Sequence, residues 1–429
     1  GCSRNNRCRH DNNRVNRRER NSNGKMRTSN LNRLLRHTAL HRFLLLCLPF
    51  TASCSEGSGT EPCAGLPTRT VLVYLAGDNN LEEIGRTPEL LRQGWKDTGS
   101  KCLIYYDAPQ AAPKLFALTI RHSDASSVLE TVEEYPEENS SSAGVFGRVV
   151  ADVVRKYPSD SYGLIFASHG SGWLPCGALS DPTRTIGDDR TPGTTGGARE
   201  MEITDFAAAI PDHQFDFIIF EACLMSGIEV AYELRNKTDY LLASSAELLV
   251  PGYAPVYPTA FQYLFDTSLG VPQALEKFAG SYFNYIDTRN GAYRSATQSI
   301  VYTREMDALA ILAGKTTGNT HGRWDDALLG KLQHFDRPGS YGDIPARPRY
   351  FDFGQYMAYL APERQADLDA LLRKTVVWKA ATPEFMAGYN GFTILTHSGL
   401  TTYIEQDEFP ELNAAYKKTA WWKATHVQK

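Results

Sequence analysis

The stretch YGLIFASHGSGW, from Tyr162 to Trp173, decides the fold class. Its first half is a short apolar run that predicts a buried strand, and its second half is a glycine-flanked loop that carries His169. Similar apolar runs alternate with stretches of helical periodicity, which is typical of a largely parallel sheet covered by helices. The predicted strands of this α/β fold are residues 70–76, 101–106, 162–167, 215–220 and 240–244.

Helices and smaller strands fill the remaining chain. We expect Asn79 or Asn80 to cap a helix that begins at Leu81, and a polar residue in 139–142 to cap a helix through residues 146–157. A peripheral hairpin is predicted for residues 115–120 and 128–135. The other predicted helices are residues 202–210, 227–234, 274–286, 306–314 and 363–380, and the other predicted strands are residues 296–302 and 391–395.

Composition excludes several classes of function. The 429 residues are 42% apolar and carry a formal charge of −4, so the chain can bury a core and has no basic field for nucleic acid. The cysteines after residue 60 form no CxxC pair, which removes the usual basis for a zinc knuckle or a thioredoxin-like site. Neither a P-loop nor a GxGxxG motif occurs.

The N-terminal segment predicts export. Residues 1–25 are rich in Arg and Asn, are expected to be disordered, and precede a candidate start at Met26. Residues 26–54 have the basic and apolar parts of a signal peptide, and their end, TASC, resembles the lipobox of bacterial lipoproteins. We therefore expect lipidation at Cys54 and a lipid anchor in the bacterial cell envelope. The alternative is an ordinary signal peptide and a secreted soluble protein.

Three regions follow this signal segment. Residues 55–66 are rich in Ser, Gly and Glu and are expected to form a tether. Residues 67–260 contain the alternating strands and helices and are the predicted catalytic domain. Residues 261–429 form a C-terminal region with mixed helices and strands, which we expect to continue that domain or to pack on it.

Two reactive side chains follow predicted strands of the sheet. In an open α/β sheet, ligands bind at the carboxyl ends of the strands, where His169 and Cys223 are expected. A cysteine needs its proton removed to act as a nucleophile, and a nearby imidazole or a following helix can favour the thiolate. The backbone N–H groups of Gly170 and Cys223 can donate to a developing oxyanion. The alternatives are a buried structural cysteine and a surface histidine.

The motifs around these residues resemble the clostripain family of cysteine peptidases, particularly its lipoprotein-like members from Bacteroidetes. The resemblance is carried by VLVYLAGDNNLE (71–82), SYGLIFASHGSGW (161–173) and FDFIIFEACLMSGIEVAYELR (215–235). It implies a caspase-like three-layer sandwich and a dyad of Cys223 and His169, with Gly170 in the oxyanion hole. It also implies cleavage of peptide bonds after a basic P1 residue, the residue on the N-terminal side of the cut.

The resemblance extends to activation and cofactors. Members are often activated by a cut between the histidine and the cysteine, and residues 180–199 contain Arg184, Arg190 and Arg199 as candidate self-cleavage sites. The alternative is an uncut surface loop, since this stretch is too poor in apolar residues to predict core. No cofactor or metal ligand set is required by the sequence, although the resemblance allows calcium.

An acidic residue is expected to bind the basic P1 side chain. The family usually has Asp two residues before the cysteine, where this chain has Glu221. Glu247, after the fifth strand, is the second and favoured candidate, because such folds build the P1 pocket there. The function predicted is therefore an exported cysteine endopeptidase that acts on protein or peptide substrates. The alternative is a catalytically silent lipoprotein that binds peptides or an envelope partner.

Overall fold

The computed structural model describes residues 68–179, 186–190, 200–317, 326–340 and 346–426. The described residues all belong to one compact unit. The predicted signal segment, Cys54, the tether, Arg184 and Arg199 lie outside the described residues. Among the helices that are described, none is both long enough and apolar enough to cross a lipid bilayer.

A large sheet organises the described residues. Its strands and the short strands beside it are, in chain order, β1 (Arg69–Ala76), β2 (Lys101–Asp107), β3 (Lys114–Ile120), β4 (Ser127–Glu134), β5 (Ser161–Ala167), β6 (Phe215–Glu221), β7 (Thr238–Ala243), β8 (Thr297–Tyr302), β9 (Phe351–Asp352), β10 (Val376–Ala381), β11 (Glu384–Phe385), β12 (Phe392–Thr393) and β13 (Thr401–Thr402). The order across the large sheet is β10-β8-β7-β6-β5-β1-β2-β3-β4. The five central strands, β7-β6-β5-β1-β2, run parallel to one another. Two further strands follow at each end of the sheet, and each of them pairs antiparallel with its inner neighbour.

Helices cover both faces of this sheet. They are α1 (Thr87–Gly94), α2 (Ala143–Lys156), α3 (Ile203–Ala208), α4 (Ile228–Glu233), α5 (Tyr257–Ala260), α6 (Val271–Asp287), α7 (Met306–Thr317), α8 (Asp326–Leu329), α9 (Phe353–Leu360), α10 (Gln365–Thr375), α11 (Pro410–Tyr416) and α12 (Ala420–Thr425). One apolar core lies between the sheet and α2, α3, α4, α7 and α12, and a second lies between the sheet and α1, α5 and α6. The central strands are apolar on both faces, as expected for a sheet buried on both sides. The predicted three-layer caspase-like architecture is confirmed.

Local predictions succeed where one periodicity dominates. Ser142 caps α2 by accepting a hydrogen bond from the N–H of Val145, and β3 and β4 form the predicted hairpin. The helix predicted for residues 363–380 is wrong in its last five residues, because α10 ends at Thr375 and β10 begins at Val376. Two valines and a tryptophan fit a strand, and the edge of β8 offers it a partner. The C-terminal region thereby extends the central sheet.

The strand order places one crevice at the carboxyl edge of the sheet. From β1 the chain goes to β2 on one side, and β5 pairs with β1 on its other side. This reversal is the topological switch point at which open α/β sheets bind ligands. The loops after β1, β5 and β6 therefore meet at the edge where the candidate residues are expected.

Candidate active site

His169 and Cys223 occupy equivalent positions on neighbouring strands. The register of β5 and β6 pairs Ala167 with Glu221, and each reactive residue follows two positions later. The N–H of Ser168 donates to the carbonyl oxygen of Glu221 at 3.3 Å, so the pairing continues to the end of the strands. The parallel direction of the two strands thus brings both side chains to the same edge.

Gly170 lets the two loops touch. A Cβ atom at this position would lie 2.7 Å from the carbonyl oxygen of Cys223 and 3.0 Å from the Cβ of Ala222 and the Sδ of Met225. Real Cβ atoms do not approach a backbone oxygen so closely, so the contact requires a glycine. The loop that carries the histidine therefore packs directly on the backbone of the cysteine.

Asn80 holds the imidazole of His169. The Nε2 atom of His169 lies 2.6 Å from the Oδ1 atom of Asn80, and the histidine side chain is buried. An amide oxygen only accepts, so Nε2 carries the hydrogen and Nδ1 is the basic nitrogen. Asn80 follows β1, so this contact spans the switch point. The expected capping role is wrong, because Leu81 stands before a short 3₁₀ helix (Glu82–Arg86) that has no side-chain cap.

A tight turn presents Cys223. The next residue, Leu224, has a left-handed backbone with φ of 61°, which is unusual for a side chain of this size. The Sγ atom of Cys223 lies 3.8 Å from the carbonyl oxygen of Leu248, and the cysteine is half-buried. The helix expected to begin at residue 227 begins at Ile228 and has six residues. The turn, rather than the helix, therefore sets the direction of the thiol.

Cys102 has a different environment. Its side chain is buried in the second core, and burial raises the pKa of its thiol well above the ordinary value. A thiol of that kind stays protonated and inert. Among the cysteines of the described residues, Cys176 and Cys223 are partly exposed.

The two candidate P1 acids already have partners within the chain. The carboxylate of Glu221 accepts hydrogen bonds from the N–H of Tyr253, at 2.7 Å, and from the hydroxyl of Tyr257. Burial raises the pKa of Glu221 to about 7, and these two hydrogen bonds oppose that rise. Glu247 forms a two-pronged ion pair with Arg337, at 2.6 and 3.0 Å, and both side chains are largely buried. Sequence reasoning missed Arg337, which is remote in the chain.

The middle of the stretch between the histidine and the cysteine is buried. Ile186, Asp188 and Asp189 are fully or almost fully inaccessible, which contradicts the expectation that this whole stretch is surface loop. Arg190 is exposed, but its N–H donates to the carbonyl oxygen of Asp78 at 2.8 Å. The expectation fails because a polar, glycine-rich stretch carries little apolar signal, whereas polar contacts hold it here.

Calcium has no evident ligand set in the described part of the chain. No group of three or more His, Cys, Asp or Glu side chains there is arranged to hold a metal ion. Calcium prefers six to eight oxygen ligands, most of them carboxylate or carbonyl.

The profile of the clostripain family matches residues 73–312, which include both loops of the site. The chain belongs to the clostripain family. Clostripain of Hathewaya histolytica is 26% identical to it over 290 residues. That match covers 60% of this chain, which spans about half (52%) of the length of the relative.

Solved structures of other proteins share the fold of this clostripain-family chain. An inactive zymogen C11 protease from Parabacteroides distasonis is 29% identical, with a TM-score of 0.68 over 83% of this chain and 98% of that one. A secreted C11 cysteine protease from Bacteroides thetaiotaomicron, solved with an irreversible peptide inhibitor, is 26% identical, with a TM-score of 0.69 over 83% and 98% of the two chains. The predicted family is thereby confirmed.

Proposed function

We propose that this protein is a cysteine endopeptidase that hydrolyses peptide bonds with Cys223 as nucleophile and His169 as general acid and base. The observation that carries the proposal is the contact of Gly170 with the backbone of Cys223 at matching strand ends. It brings the thiol, the imidazole and two backbone N–H groups to one edge of the sheet. Family membership adds the expectation that this arrangement is used for peptide cleavage.

In the proposed reaction, each of these groups has a distinct part. The Nδ1 atom of His169 takes the proton of the Cys223 thiol, and the thiolate attacks the scissile carbonyl carbon. The N–H groups of Gly170 and Cys223 are the proposed donors to the oxyanion. The imidazolium then gives its proton to the leaving amine, and a thioester remains. Water, deprotonated by His169, hydrolyses this thioester and restores the thiol.

For the P1 residue we propose Arg or Lys, with Glu221 as its carboxylate partner. Glu221 lies on β6 two residues before the nucleophile, and its hydrogen-bond partners in the described part of the chain, Tyr253 and Tyr257, are neutral. Glu247 is instead ion-paired with the cation of Arg337. With a pKa of about 7, Glu221 becomes more ionised as the pH rises through neutrality. Attraction of a cationic P1 side chain should strengthen over the same interval.

Matched fluorogenic peptides with Arg, Lys or Gln at P1 test this function. We expect the ratio of kcat/KM for Arg over Gln to exceed about tenfold, the factor that about 1.4 kcal/mol supplies. This ratio should rise between pH 6 and pH 8 and should be lower in Glu221→Gln, while Glu233→Gln, a change at the end of α4, leaves it unaltered. Equal cleavage after Arg and Gln would contradict the P1 proposal, and no cleavage of any peptide would contradict the enzyme.

We further propose export and lipid anchoring through Cys54, followed by processing within residues 180–199. Arg184 and Arg199 lie outside residues 186–190, whereas a cut after Arg190 falls beside a backbone hydrogen bond to Asp78. Mass spectrometry of the mature protein from a bacterial host should find a diacylglyceryl Cys54 as the first residue. A mature chain that begins at another residue would contradict the anchor.

A further inference from the structure

Residues 186–190, here called the strut, lie against the loop that carries the catalytic histidine. Ile186 forms antiparallel bridges with Gly170 on one side and with Met201 on the other. The N–H of Gly187 donates to the carbonyl oxygen of His169 at 3.0 Å. The strut therefore adds a short strand segment beside the histidine loop, and its hydrogen bond is made to the histidine itself.

The strut also contacts the loop that carries Asn80. The side-chain Nδ2 of Asn79 donates to the carbonyl oxygen of Asp188 at 3.0 Å, and the backbone N–H of Arg190 donates to the carbonyl oxygen of Asp78. The N–H of Asp188 donates to the hydroxyl of Ser168 at 3.3 Å. These contacts tie together the two loops between which the bond from His169 to Asn80 is made.

Asp189 fixes the strut to the body of the protein. Its buried carboxylate accepts hydrogen bonds from the N–H of Ser140 at 2.5 Å and from the hydroxyl of the same serine at 2.8 Å. The fully buried Asp107, at the end of β2, faces both Ser140 and this carboxylate. Gly187, with φ of 81°, lies so close to Ser141 that a Cβ atom would overlap its hydroxyl oxygen.

We propose that Asp189 is a positioning residue for catalysis: it anchors the strut, and the strut holds the loops that orient His169 against Cys223. Asp107, whose fully buried carboxyl group faces Asp189, completes the anchor. The inference rests on the proposed function for its catalytic meaning. The arrangement of contacts that carries it involves the described residues alone.

The protonation state of Asp107 follows from its burial. Burial is the main cause that raises the pKa of Asp107 to about 8, and the charge of Asp189 adds to it, while Ser140 opposes the rise. With a pKa raised in this way, Asp107 keeps its proton at neutral pH. The other titratable groups that face this pair are Glu137, Tyr74, Tyr105 and Tyr106, and the pKa values of the three tyrosines are raised.

The sign of the pH dependence is fixed by the raised pKa. A carboxyl group with a folded-state pKa above its unfolded value supports the folded arrangement below the unfolded pKa. That support is lost as the pH rises through the folded pKa, here about 8. The anchor should therefore weaken above pH 8, and kcat/KM should fall there as His169 loses its position.

Three aspartate variants test the anchor. We expect Asp189→Ala to lower kcat/KM at least about tenfold, whereas Asp189→Asn, whose amide oxygen still accepts from Ser140, stays within about threefold of wild type. Asp212→Ala, at an exposed site before the amino end of β6, is the matched control. The second measurement is the pH profile of Cys223 alkylation by iodoacetamide, followed by mass spectrometry. Its midpoint should move to higher pH in Asp189→Ala and not in Asp189→Asn.

Asp107→Asn tests whether the proton of Asp107 supports the anchor. The amide keeps a donor towards Asp189 at every pH, so the fall of kcat/KM above pH 8 should disappear in this variant. An Asp189→Ala protein with wild-type kcat/KM and an unchanged alkylation midpoint would overturn the proposal. If Asp189→Ala does not unfold cooperatively, the deciding variant is Asp107→Asn. A fall of kcat/KM above pH 8 that persists in Asp107→Asn then overturns the proposal. Alkylation of Cys223 does not require peptide cleavage. A wild-type protein that cleaves no peptide therefore contradicts the proposed peptidase function, whereas the alkylation profile still tests the role of Asp189.

Discussion

Replacement of Cys223 by alanine should lower kcat/KM for the fluorogenic Arg peptide by at least about 10³-fold, the loss expected when a covalent nucleophile is removed. The reason is that the remaining groups can bind and polarise the substrate but cannot form the thioester. His169→Ala should come close to the same loss, because the two residues act as one unit. Initial rates at pH 7 measure both effects.

The matched control is Cys176→Ala, which also removes a partly exposed thiol. This variant should keep wild-type rates and, in a bacterial host, the same pattern of cleavage within residues 180–199. The Cys223→Ala chain should remain uncut in isolation. A Cys223→Ala protein that still cleaves peptides would contradict the proposed mechanism. One that is still cut within residues 180–199 would contradict only the proposed self-processing.

Gly170→Ala should lower kcat/KM by about 10²-fold, because the added methyl group meets the carbonyl oxygen of Cys223 at 2.7 Å. The histidine loop must then retreat, which moves the imidazole and the Gly170 N–H away from the thiol. A misplacement near 1 Å is enough for a loss of this size. Overpacking should also lower the free energy of unfolding by about 1–3 kcal/mol.

Gly144→Ala is the control for this substitution. Gly144 lies in α2, where an added methyl group would have nothing within 4 Å, so alanine should stabilise the helix by about 0.5–1 kcal/mol and leave kcat/KM unaltered. Thermal unfolding separates stability from catalysis in both proteins. Wild-type kcat/KM in Gly170→Ala would show that the two loops need not touch.

The sequence is sufficient for the parts of the fold that follow one local pattern. Apolar runs such as residues 162–167 predict buried strands because every side chain in them must leave water. The reactive residues can be placed as well, since parallel strands bring their carboxyl ends to one edge. The boundary between α10 and β10 escapes prediction because apolar residues continue across Thr375, where the edge of β8 decides the outcome.

Other features depend on contacts that no local pattern encodes. The local sequence predicts Asn80 as a helix cap, and only the pairing of β1 with β5 brings it to His169. The P1 acid that the sequence favours, Glu247, forms an ion pair with Arg337, which is 90 residues away in the chain. The burial of Asp189 depends on Ser140 and Asp107, which come from two other parts of the chain. Polar contacts of this kind become visible only when the strands are in register.

The order of strands divides the sheet into two halves, each formed by a continuous part of the chain. Strands β1 to β5 occupy one side of the sheet contiguously, and β6, β7, β8 and β10 occupy the other. The two halves meet at the β5–β6 pairing, and the chain passes from the first half to the second within residues 168–214. A chain divided after the strut would thus yield two complementary half-sheets, one bearing His169 and the other Cys223. Neither half would possess both residues of the proposed dyad, and reassociation would have to rebuild the β5–β6 ladder and the bridge between Ile186 and Met201.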